Sequence, residues 1–425
     1  MMNDEQSVPD NSAVPNRNYV SRRSSVQSLA LNAMLLFPWF LCGVLGFMPM
    51  ILGGTVDFRN LYTAGYMVRS GHGHEIYDPS AQKQFQNQLV SYVDIPLPFI
   101  RPAYQALLFV PFSFLPFRLA FCVFYAFNLA VLLLCFRLLR PYMVSLGRVA
   151  SYLPAVMFLF LPINVALASG QDSIVLLTLL AGALACIERD REVLAGILVA
   201  LGLFKFQLVI PIAVLFLVWR RWRFSAAFAC TAAMLAGIST WIVGAAQALH
   251  YIQAMIQLGH SFGFGPRFPL PIGKMPNLHG ALHGILGESP LVLPLTVAAS
   301  AVAMTFFATR RTRGGNALIV AIPASALVSY YLVAYDMSML AIPLVVMLSR
   351  LADSMKAVSM CWRLQLMASI FLFAFPVLVL LSNLQFWTVS IPLLAFSLAV
   401  SICPPLGLPS ERNHQSPSEA LGKSS

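Results

Sequence analysis

Apolar runs dominate this chain from Leu29 to Cys403, separated by short polar turns. Each run is about the 20 residues that a helix needs to cross a hydrocarbon core, or somewhat less. Alternating ten-residue segments, the mark of a transmembrane barrel, do not occur. The pattern therefore predicts an all-α polytopic membrane protein, since lipid tolerates only structures that satisfy their own backbone. Spans are expected at about 29–52, at Phe117 to Phe136, and near 149–168, 173–187, 193–204, 206–219, 224–246, 289–309, 316–335, 337–350, 364–382 and 387–403. That makes a bundle of about 12 transmembrane helices. Several of these runs are short, which predicts broken or tilted helices. The stretch from Ala103 to Leu139 is too long for one helix and contains Pro111 and Pro116. Ala103 to Leu115 accordingly reads as an interfacial or re-entrant piece.

Composition agrees: 59% of residues are hydrophobic and 10% charged, with a mean hydropathy of +0.76. A soluble chain carries roughly a quarter charged residues. The net charge of +11 raises the question of nucleic acid, and its distribution answers no. Basic residues gather in short turns: Arg137/Arg140/Arg148, Arg189/Arg191, Arg220/Arg221/Arg223, Arg310/Arg311/Arg313 and Arg350/Lys356/Arg363. That bias marks cytoplasmic loops. It predicts a disordered cytoplasmic tail over 1–28, a membrane domain over 29–403 and a cytoplasmic tail over 404–425. The first apolar run starts late and has full spanning length, which argues against a cleaved leader. Two outer loops follow, a long first one at about 53–102 and another at about 247–289. The seven cysteines lie in or beside apolar runs without CxxC spacing and read as small core residues.

Chemistry then belongs on the extracytoplasmic face of the cell membrane. Asp57 stands there, just past the first span, in Gly53-Gly54-Thr55-Val56-Asp57-Phe58-Arg59-Asn60-Leu61-Tyr62. A carboxylate at the bilayer edge suits a general base; a helix N-cap is the structural alternative.

The residues around it resemble a family. Asp57 to Gly65, followed by Gly71 and Ile76-Tyr77-Asp78-Pro79, is similar to the first loop of family-87 glycosyltransferases of the GT-C superfamily. Arg101 to Pro111, Ser169-Gly170-Gln171-Asp172-Ser173, Leu194 to Lys205, Ser329-Tyr330-Tyr331 and Tyr335-Asp336-Met337 continue the likeness in the same order. The resemblance implies a membrane enzyme that moves a hexose, mannose in that family, from a polyprenyl-phosphate-sugar to an acceptor hydroxyl on a glycolipid or glycan. It assigns Asp57 the role of base, with inversion at the sugar.

Other residues take expected roles within that frame. Lys205 lies at the outer apex of two short half-spans. A buried lysine needs an anion, either the donor phosphate or a pairing with Asp336 or Asp172. Arg59 and Arg101 suit the donor phosphate, since guanidinium forks match it, or else lipid headgroups. Tyr62, Gln171, Asp172 and Asp336 are candidate substrate contacts, with helix capping as the alternative for the last three. His279 and His283 share a helical face, but no third ligand is adjacent, so they read as substrate contacts or interfacial anchors rather than a metal site. The first loop has no Asp-x-Asp, and neither metal nor cofactor is expected. A secondary transporter, or a non-catalytic protein handling lipid or polysaccharide, is the rival class; a transporter predicts repeat symmetry and mid-bilayer charges.

Overall fold

The computed structural model describes residues 52–143, 157–261, 272–354 and 359–402, apart from positions 55, 311, 313 and 383. The first expected span, both tails and the start of the 149–168 span lie outside the described residues. Every regular element among the described residues is helical. Six helical stretches are long and apolar enough to cross a bilayer: Phe117–Met143, Glu192–Val218, Trp222–Val243, Val292–Thr309, Ala334–Ala352 and Met360–Ser382. Three shorter apolar helices accompany them, Ser173–Ile187, Asn316–Val328 and Phe386–Ile402. The chain is thus a polytopic helical membrane protein, with six long stretches among the described residues, where the hydropathy pattern predicts about twelve spans over the whole chain.

The expected first loop is itself helical. It holds α1 (Phe58–Arg69) and α2 (Pro79–Leu89), joined by a 3-10 turn at Gly73–Glu75. Helix α2 starts where the sequence says it should: Pro79 fits the first helical position, and the Asp78 carboxylate accepts from Ser80 N at 2.8 Å. The prolines break the following chain into a 3-10 turn at Ala103–Gln105, a single turn α3 (Ala106–Phe109) and another 3-10 turn at Phe112–Phe114. Pro116 then leads into α4 (Phe117–Leu139). Next come α5 (Leu161–Ala168), α6 (Ser173–Ile187), α7 (Glu192–Leu201), α8 (Phe206–Val218), α9 (Trp222–Val243) and α10 (Ala245–Ser261). The remaining helices are α11 (Leu278–Leu286), α12 (Val292–Thr309), α13 (Asn316–Val328), α14 (Ala341–Asp353), α15 (Met360–Ser382) and α16 (Ser390–Ile402).

The Glu192–Val218 stretch does not run straight. A straight helix of that length would hold its ends about 40 Å apart, yet Glu192 Oε1 ion-pairs with Arg221 Nη1 just beyond the far end. The reversal falls at Lys205, whose backbone leaves the helical region (φ −118°, ψ 57°). Helices α7 and α8 are therefore two arms of a hairpin with Lys205 at the apex, as the short half-spans predict. Close approach of the returning chain depends on Gly196: a Cβ there would lie 2.3 Å from Phe224 O at the start of α9.

Position in the bundle follows hydrophobicity. Helix α13 is apolar all round, and all of it but Val328 is buried, as expected of a central helix. Helices α9 and α12 are apolar yet mostly exposed, with Met234, Trp241, Val297 and Val302 facing outward, as lipid-facing helices do. The basic turns meet at one end. There Glu188 Oε1 accepts from Gly315 N at 2.6 Å, Trp219 Nε1 donates to Ala308 O at 3.1 Å, and Arg350 binds Asn316. From that end α6, α7, α8 and α13 all lead to the opposite one.

Candidate active site

At that opposite end the break between α5 and α6 receives the first loop. Gly170 adopts φ +63°, and a Cβ on it would sit 2.7 Å from Phe58 Cβ. The turn it makes presents Ser169 O to Phe58 N at 3.1 Å. The Phe58 ring is locked among Phe109, Phe117, Phe121 and Phe124. Asp57, one residue earlier, is thereby fixed beside Gln171. Its side chain makes no capping bond to α1, so the N-cap alternative does not hold.

Gln171 connects Asp57 to the rest of the site. Its Nε2 donates to Asp57 Oδ2 at 2.7 Å, and its Oε1 accepts from Arg101 Nη2 at 2.8 Å. Arginine only donates and an ionised carboxylate only accepts, so the amide has one orientation. Arg101 Nη1 also lies 3.1 Å from Asp172 Oδ2, which accepts from Gln105 Nε2 as well. The Arg101 backbone is held by the Tyr77 hydroxyl, which donates to its carbonyl at 3.0 Å.

Beneath this chain lies a buried ion cluster. Lys205 Nζ pairs with Asp336 Oδ1, donates to Ser173 Oγ at 2.7 Å and stands 3.4 Å from Asp172 Oδ1. Lys205 thus pairs with both carboxylates, as one of its two expected readings has it, and it also lines the cavity. Two cations face three carboxylates, Asp57 being the third. Burial pushes the Asp57 carboxyl above the ordinary carboxylate range, against the Gln171 bond and the charges of Arg101 and Lys205. An aspartate poised in that way suits proton abstraction.

A cavity of about 150 Å³ opens onto these groups, walled by Asp57, Arg101, Gln171, Lys205, Tyr335 and Asp336, with Asn60 and Gln207 among its other polar residues. The Asn60 amide oxygen has no hydrogen-bond partner among the described residues. Phe206 lies in the cavity wall and also in the wall of an apolar groove of about 530 Å³ between α8, α9 and α10. Leu203, Leu235, Tyr251 and Met255 line that groove.

Several expected site residues sit elsewhere. Arg59 is 1% exposed and donates to Gly54 O, to Gln86 Oε1 and O, and to Ser91 Oγ and O. It clamps the first loop and does not face the cavity, because its guanidinium is consumed by neutral acceptors. Tyr62 is also a packing residue: its ring meets Phe117 edge-on and its hydroxyl donates to Leu115 O at 2.9 Å. His279 is turned toward Tyr330 O, 3.0 Å from Nδ1, and supports a cavity-wall tyrosine from behind; half-buried His283 is likewise outside the cavity wall. Gln171, by contrast, lines the cavity, with one bond to Asp57 and one from Arg101. Asp172 makes no capping bond and lies behind Arg101. Site residues that sequence reasoning did not single out include Asn60, Gln105, Ser173, Tyr330, Tyr331, Tyr335 and Gln207. All but Gln207 stand inside the quoted motifs, and a polar group repeated beside an apolar helix end was the available signal.

These features define a membrane protein with a carboxylate-centred polar cavity at one end of its bundle. The glycosyltransferase family 87 model matches residues 99–343, and the chain belongs to that family: it is a membrane glycosyltransferase. The matched range contains Arg101, Gln171, Asp172, Lys205 and Asp336, whereas Asp57 precedes it. No curated protein and no solved structure matches the chain. Family membership displaces the transporter and the non-catalytic readings.

Proposed function

We propose that the enzyme transfers a hexose, mannose by family likeness, from a polyprenyl-phosphate-sugar to a hydroxyl of a glycolipid or glycan acceptor. The observation that carries this reading is the pairing of a small polar cavity with an apolar groove through the shared Phe206. A lipid-linked sugar has the same two parts. The prenyl chain occupies the groove, and sugar and phosphate enter the cavity. Helix α6 is 15 residues long, about 22 Å, so the cavity floor lies short of a hydrocarbon core about 30 Å thick. A donor that resides in the membrane meets a floor recessed in that way without leaving it.

In the step itself Asp57 takes the acceptor hydroxyl proton while the acceptor oxygen attacks the anomeric carbon. The bond from that carbon to the phosphate oxygen breaks, and polyprenyl phosphate leaves with the electron pair. Attack opposite the leaving group inverts the centre. Arg101, at the cavity wall, faces the phosphate charge; Lys205 holds Asp172 and Asp336 in place below it. The basic turns collect at the far end of the bundle, which supports a site opening on the extracytoplasmic face of the cell membrane. Membranes given labelled polyprenyl-phosphate-mannose are expected to form a labelled lipid or glycan product. Absence of any product from that donor, with the protein present and inserted, would refute the donor assignment.

A further inference from the structure

Asp57 has a second neighbour besides Gln171. Tyr335 lines the same cavity as Asp57, and its hydroxyl acts on the Asp57 carboxyl in the direction of the ionised form. The Tyr335 ring lies against the Lys205 ammonium, with Nζ 4.8 Å from the ring centroid. The next residue, Asp336, is the carboxylate that Lys205 pairs. One tyrosine therefore shares the cavity with the acid and lays its face against the buried cation. An ammonium over an aromatic ring is attracted to it, which fixes the ring, and a buried phenol needs an acceptor for its hydrogen. Charged groups acting on Asp57 are Arg101 and Lys205, and Tyr331 also stands near it. Asp172 and Asp336 are themselves bound to those two cations.

We propose that Tyr335 is a positioning residue for the base: its hydroxyl donates to Asp57 and couples that carboxylate to the Lys205–Asp336 pair. Gln171 fixes Asp57 from one side and Tyr335 from the other, and the carboxylate keeps further acceptor sites for the incoming hydroxyl. The inference rests on Asp57 being the base.

The pH–rate profile of Tyr335→Phe tests it. A donor to the carboxylate favours its ionised form. Losing the donor moves the acid limb of the profile upward by about one pH unit, a tenfold lower rate at a fixed pH on the limb. The loss is largest on the acid limb and shrinks as pH rises toward the plateau. Replacing Tyr335 with 3-fluorotyrosine, a stronger donor, moves the limb downward, and this near-isosteric chain carries the test if the Phe variant does not fold. A limb that stays in place in the fluorotyrosine enzyme, or a loss equal at every pH in the Phe variant, overturns the proposal. Asp57→Asn separates the two readings. If that variant still transfers sugar, the base assignment fails and Tyr335 falls with it. If it is inactive while the limb stays fixed in both Tyr335 variants, the Tyr335 inference alone fails.

Discussion

Arg59 and Arg101 stand on the same segment ahead of α4 and invite the same sequence-based reading, yet they are buried in opposite ways. Arg59 is surrounded by carbonyls, a serine and a glutamine, all neutral. Arg101 faces Asp172 and Gln171, and through Gln171 it reaches Asp57. A guanidinium spent on neutral backbone acceptors ties chain segments together. One set against carboxylates at a cavity wall shapes an electrostatic site. The type of residue is the same; the partners decide the role.

Substitutions widen or erase that contrast. The largest effect falls on the proposed base. Asp57→Asn is expected to lower sugar transfer by roughly 10²–10⁴-fold, the usual worth of a general base, without loss of folded protein. Because the fold raises this carboxyl, the stability it contributes is present below the ordinary carboxylate value and is lost as pH rises through the raised one. The Asn variant should therefore unfold no more easily than wild type at neutral pH, which a thermal melt in detergent checks. In wild type the transfer rate should climb with pH through a limb above the ordinary aspartate range. A limb at the ordinary position would break the link between burial and base.

Next comes the buried cluster. Lys205→Met leaves Asp172 and Asp336 without their shared cation, and breaking a buried pair costs about 3–5 kcal/mol. The expected result is a sharp fall in the yield of folded protein; normal yield and normal melting would show that the cluster is not needed for the fold. Arg59→Met should destabilise by a smaller amount, about 1–3 kcal/mol for the hydrogen-bond partners stranded in the first loop. The KM for the donor should stay unchanged in the protein that folds. A raised donor KM there would erase the distinction between the two arginines. Tyr62→Phe should do least, removing one bond to Leu115 O worth about 1 kcal/mol, with transfer intact.

The sequence was most legible where charge interrupts hydrophobicity. Helix α6 is bounded by Asp172 and Glu188, and its limits match the expected span. The α7–α8 hairpin was visible because Lys205 divides two runs too short to cross alone. The first loop was far less legible. Its helices are amphipathic but too polar on average to stand out among apolar spans, and its cohesion comes from Arg59, Gln82 and Gln86 binding backbone groups. Such bonds leave no spacing in the chain. Tyr331 and Tyr335 were hidden for another reason: in a membrane protein, tyrosines at helix ends look like interfacial anchors. Only the return of Tyr335 toward Asp57 distinguishes it.

The Lys205 apex also sets an order of biogenesis. Its nearer partners, Asp172 and Ser173, precede it in the chain, but Asp336 is made 131 residues later. Until synthesis has passed that point, the hairpin lies in the membrane with its ammonium only partly neutralised. The last third of the chain therefore does more than add helices: it supplies the carboxylate that pairs with the apex of a hairpin made long before.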